Sequence, residues 1–158
     1  MNKEALIEAA SQLATVSSDA AAEYASRSEG LAGMVTATIG AREDLARLIG
    51  PDNRAMMADN HRNHARFIAS LLQRFDPTSL VDTVIWVFRA YRAHGFTLVY
   101  WSAQLNAWLV HLEQELSPET FDAVRPLYEW LLINQPSFVE LSEQSAPTAW
   151  DESEPSHG

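Results

Sequence analysis

The chain has no cysteine among its 158 residues. That removes disulfides, thiolate metal sites, a cysteine nucleophile and a thioether-linked chromophore together, and it fits a reducing cytoplasm. Positive charge is scarce: 11 Lys and Arg stand against 21 Asp and Glu, a formal net charge of -10. The arginines are scattered among acids and form no basic stripe. DNA, RNA and anionic membrane surfaces, which bind through positive potential, are therefore poor partners. No run of about 20 apolar residues exists, because Ser102, Gln104, Asn106 and His111 interrupt the best stretch. The opening MNKEALIEAASQL lacks the long apolar core of a secretory signal. Strand-like alternation, a Gly-rich phosphate loop and a legible Ser-His-Asp spacing are missing too, so the expectation is a cytoplasmic protein that is not an enzyme.

What is present is helical periodicity. The hydrophobic fraction is 47%, and a chain of this length suits one compact domain that buries roughly 70% of its unfolded surface. Residues 3–15 form a short amphipathic helix with Leu6, Ile7, Ala10, Leu13 and Ala14 on one face. An Ala-rich segment follows the capping run Ser17-Ser18-Asp19 and ends near Gly30. Residues 31–49 predict the next helix, with Thr38 on its apolar stripe and Gly50-Pro51 as its stop. Residues 53–75 predict a helix whose first half reads as solvated around Asp59, Asn60, Arg62 and Asn63.

The second half of the chain is more apolar. Asp76-Pro77 and Ser117-Pro118 are twin helix starts, an acceptor followed by proline. Between them, residues 84–116 hold the richest aromatic run and read as two helices broken at His94-Gly95. After the break, Leu98, Trp101, Leu105, Trp108 and Leu112 step by three and four, a narrow seam suited to a partner helix. The last helix, 118–142, should bend or break at Pro126 or Pro136. The expected architecture is an all-α domain over residues 1–142 with six to seven helices, the last two long and antiparallel. Residues 143–158 read as an acidic tail with one apolar anchor, Trp150.

The run Phe88-Arg89-Ala90-Tyr91-Arg92-Ala93-His94-Gly95-Phe96, then Tyr100-Trp101, Leu105 and Trp108, resembles the junction between the haem-facing helix and the next long helix of sensor globins. More closely, residues 80–142 resemble the N-terminal non-haem globin domains of RsbR-type stressosome regulators. The resemblance implies a globin-like fold and a sensing or signalling role in a stress response. It also implies a homodimer built by the last two long helices. Such relatives carry an output domain after the last helix, so an acidic tail in its place implies a protein partner acting in trans.

Four residues are candidates should the domain bind haem or another tetrapyrrole. Tyr91 lies one turn before Gly95, where a haem sensor keeps its histidine, and tyrosine ligates haem iron as a minority choice. His61, His64 and His94 are the others. The expectation is no cofactor: Tyr91 as a core aromatic, His94 at a helix end, and the His61/His64 pair without the acidic partner that a metal would want. A His on the 53–75 helix could instead line a cavity for a small apolar ligand. Glu113, Glu115 and Glu119 are the densest carboxylates and read as helix-end charges. Tryptophan is enriched at interfaces, so Leu98, Trp101, Leu105, Trp108 and Leu112, with Tyr128 and Leu131, are expected to form the dimer interface.

Overall fold

Side-chain oxygens start four of the helices. Asn2 accepts the Ala5 N–H, Ser17 the Ala20 N–H, Asp76 those of Thr78 and Ser79, and Ser117 that of Thr120. Each satisfies a backbone donor that the first turn cannot pair. The computed structural model describes residues 1–144 as eight α-helices with no strand among them. These are α1 (Lys3–Ser11), α2 (Ser18–Gly40), α3 (Leu45–Ile49), α4 (Arg54–Gln73), α5 (Pro77–Ala93), α6 (Leu98–Glu115), α7 (Pro118–Ile133) and α8 (Gln135–Gln144). The acidic stretch around Trp150 lies outside the described residues.

The all-α expectation holds, and three helix boundaries differ from the sequence reading. Gly30 does not end a helix: α2 runs through Gly30 and Gly33 to Gly40. A Cβ at Gly30 or Gly33 would meet nothing within 4 Å, so both sit on an open face, where glycine costs about 1 kcal/mol of propensity and no packing. The interruption falls instead at residues 41–44, which split α3 from α2. The final helix breaks at Asn134, and Pro136 stands in the first turn of α8, where its missing N–H is harmless. Pro126 stays inside α7.

The 23 residues of α2 span about 34 Å and form the axis of the fold. Its buried residues include Ala20, Ala21, Ser28 and Ala32, and such small side chains let α4, α6 and α7 pack close against it. The Glu23 carboxylate accepts from Ser117 N–H at 2.7 Å, Ser117 Oγ at 2.8 Å and Thr120 Oγ1 at 2.7 Å. An acid on α2 thus caps α7, and these bonds, Thr120 first, hold Glu23 below the usual carboxylate range. Thr38 is exposed and bonds to His111 Nε2 on α6 at 2.7 Å rather than turning back to its own helix.

The break at His94-Gly95 is a Schellman motif. Phe96 N–H bonds the Tyr91 carbonyl and Gly95 N–H that of Arg92, with Gly95 at φ +102°. The hydrophobic contact that accompanies this motif is the edge-to-face pair of Tyr91 and Phe96, 5.1 Å between centroids. The turn docks on the end of α3. Thr97 N–H bonds the Leu48 carbonyl at 2.8 Å, and Asn53 Nδ2 donates to both the Ile49 and His94 carbonyls. Gly50, at φ +80°, and Gly95 approach there closely enough that a Cβ on Gly50 would meet the Gly95 carbonyl at 3.5 Å.

Helices α6 and α7 run antiparallel, with Ser102 bonded to Gln135 and Trp108 facing Tyr128. The Trp-rich seam, expected to form a dimer interface, is buried within this one chain. Trp108, Leu112 and Tyr128 are fully buried, and Trp101, Leu105 and Leu131 nearly so. Only Leu98 remains exposed. Helices α2, α4 and α5 pack on the seam: α2 along α6, His64 against Trp108 and Phe88 against Trp101.

Trp108→Ala is therefore expected to cost about 3–5 kcal/mol of stability, seen as a lower urea midpoint. A lower sedimentation mass with stability intact would return Trp108 to an interface.

Candidate functional site

Polar side chains thread the core between α2, α4, α6 and α7. Asn60 and His61 are buried, which corrects the solvated reading of Asn60. Their burial depends on helices far away in sequence. Thr36 Oγ1 lies 2.7 Å from His61 Nδ1, and Tyr100 Oη lies 2.8 Å from His61 Nε2 and 2.7 Å from Asn60 Oδ1. Tyr100 spends its one proton on Asn60 Oδ1. It must then accept from His61 Nε2–H, which leaves His61 Nδ1 to accept from Thr36. A second chain joins Tyr24 Oη to Tyr128 Oη at 2.7 Å and Tyr128 Oη to His64 Nε2 at 2.8 Å. If His64 donated, the Tyr24 proton would be stranded in the core, so Tyr24 donates to Tyr128 and Tyr128 to His64 Nε2.

Burial pushes the buried phenols Tyr24, Tyr100 and Tyr128 above the usual tyrosine range. It pushes His61 down to about 4, and burial together with neighbouring His61 pushes His64 down to about 3. Both imidazoles are neutral at pH 7.

Beside these chains lies a cavity of about 270 Å³. Its walls come from α4 (Asn60, Asn63, His64, Phe67, Ile68), α5 (from Leu80 to Tyr91), α6 (Trp101, Gln104, Leu105) and Leu131 of α7. Exposed Asn63 and Trp86 mark its mouth. Phe88 and Trp101 stack 4.8 Å apart in its wall. No Lys, Arg, Asp or Glu lines it.

The structure separates the four sequence candidates. His64 and Tyr91 line the cavity. His61 lies behind it, with both ring nitrogens bonded. His94 is exposed at the C-cap of α5. These residues fit haem poorly. The lone pair of His64 is used by Tyr128 and that of His61 by Thr36, so neither histidine has a nitrogen free for iron without breaking a buried bond. Tyr91 is held as the C-terminal packing partner of Phe96. Among the described residues no group of three His, Asp or Glu comes together as metal ligands. Glu115 pairs with Arg27, whereas Glu113 and Glu119 are exposed.

Sequence reasoning missed Asn60 and Gln104. A readable signal existed for Gln104: it falls on the same helical face as Trp101, Leu105 and Trp108, a polar residue where the seam asks for an apolar one. No protein-family model, curated protein or solved structure matches this chain.

The unfolded chain takes up histidine protons near 6.5, whereas the folded protein takes them up only at lower pH. Stability is thus whole above about pH 6.5 and falls as pH drops toward 4; for His61 alone the loss at pH 5 is about 2 kcal/mol. The urea midpoint is expected to fall between pH 7 and pH 5, and His61→Gln to flatten that slope. An unchanged slope would mean that His61 is protonated as easily folded as unfolded.

Proposed function

We propose that this chain is a globin-like, non-haem sensing domain without a catalytic role. It takes a small apolar molecule between α4, α5 and α6 and passes its occupancy on through protein contacts. The observation that carries this reading is the uncharged cavity between α4, α5 and α6. Helix order supports it. A long helix (α2), a short one (α3) and then α4 and α5 flanking the cavity suit the non-haem globin domains that residues 80–142 resemble; in haem sensor globins the equivalent space holds haem. Here aromatic and aliphatic side chains, with His64 committed to Tyr128, take that place.

Dimerisation in this reading uses what α6 and α7 leave outside. Val99 and Val110 are exposed three turns apart on one face of α6, and Ile133 is exposed at the end of α7. The double variant Val99→Glu/Val110→Glu is expected to sediment as a monomer with its helical circular dichroism unchanged. A wild type that already sediments as a monomer would remove the homodimer.

The cavity is tested with the uncharged fluorophore N-phenyl-1-naphthylamine. Saturable binding is expected, with a raised melting temperature, since a ligand held only by the folded state stabilises it. Val84→Trp, which fills the cavity from α5, should abolish binding. Equal binding by that variant would place the probe elsewhere and sink the reading. A Soret band formed with added haemin and lost in Tyr91→Phe would replace it with a haem sensor.

A further inference from the structure

Asn60, Trp101 and Gln104 all line the cavity, and their polar groups are unfinished. Gln104 is 3% exposed, and its Oε1 is buried without a hydrogen-bond partner. No described residue bonds its Nε2 either. One turn earlier on the same face of α6, Trp101 Nε1–H is likewise buried without a partner. Across from them on α4, Asn60 is 4% exposed and uses only its Oδ1, which accepts from Tyr100. Its amide nitrogen remains as a donor. Buried polar groups are paired in more than nine cases of ten, so two orphaned side chains in a single cavity wall need an explanation.

We propose that these three side chains bind the head of an uncharged amphiphile, a molecule with an apolar body and one hydroxyl or carbonyl oxygen. The inference rests on the cavity reading above and names its ligand class. The ligand oxygen accepts from the Asn60 amide and the Trp101 indole, and a hydroxyl also donates to Gln104 Oε1. Gln104 can turn its amide about to present a donor to a carbonyl instead. An ionised carboxylate is the wrong head: no Lys or Arg lines the cavity to offset its desolvation, and neutral His64 supplies no charge. The same arrangement carries a cost when the site is empty. An unpaired buried amide destabilises the fold, and that cost is relieved when ligand arrives, which couples occupancy to stability.

The experiment displaces N-phenyl-1-naphthylamine with octan-1-ol, octan-2-one and octanoate at pH 7.5 from wild type, Gln104→Leu and Gln104→Met. The alcohol and the ketone are expected to displace the probe from wild type at least tenfold better than octanoate. Both variants should lose about tenfold in affinity for octan-1-ol relative to their own affinity for the probe. They should also melt higher than wild type without ligand, because the orphan amide is gone. Octanoate binding as well as octan-1-ol, or alcohol affinity unchanged relative to the probe in both variants, would overturn the assignment of this site. Failure of the probe itself to bind wild type would instead overturn the cavity reading beneath it. Two variants are used so that a packing fault in one does not decide the outcome.

Discussion

Two neutral histidines locked to tyrosines hold this fold in register. His61 bridges Thr36 of α2 and Tyr100 of α6, and His64 reaches Tyr24 of α2 through Tyr128 of α7. Apolar contacts could let α2 slide along α4, but these bonds permit one alignment, because each donor has one acceptor at the right height. Every misalignment would bury an unpaired hydroxyl or imidazole, at a cost of about 1–3 kcal/mol each. The price of this specificity is sensitivity to acid, since both rings must stay uncharged in a dry environment.

The cavity follows from the same alignment. Asn60 and His64 lie one turn apart on α4, and fixing α4 against α6 sets them opposite Trp101 and Gln104. The two histidine chains pair every hydroxyl they contain. Where Gln104 and Trp101 lack partners, the protein keeps polar groups that folding alone does not explain. Natural proteins concentrate such local violations at functional sites. That contrast, within one pair of helices, is why the proposed site lies there and not at the histidines.

Local punctuation in the chain was legible and general burial was not. The breaks at Gly95, Asp76-Pro77 and Ser117-Pro118 were readable because turn and cap chemistry involve only a few neighbouring residues. Gly30 misled, since a glycine on an open helix face looks the same in sequence as one that ends a helix. The seam at Trp101, Leu105 and Trp108 was legible as an apolar stripe. Which surface covers it was not, because period gives the face of a helix and not the identity of its neighbour. Asn60 looked solvated for the same reason: its cover comes from Tyr100, tens of residues away.

By itself, then, the sequence determined an all-helical chain, most of its helix ends and an acidic, cysteine-free composition. These depend on propensity, caps and composition, which act within a turn or two. Tertiary structure alone decided that the tryptophan seam faces inward, that the histidines' lone pairs are occupied, and that Asn60 and Gln104 share a cavity wall. Each of those depends on which helices meet, and that is set by long-range packing and by the pairing of buried polar groups across α2, α4, α6 and α7.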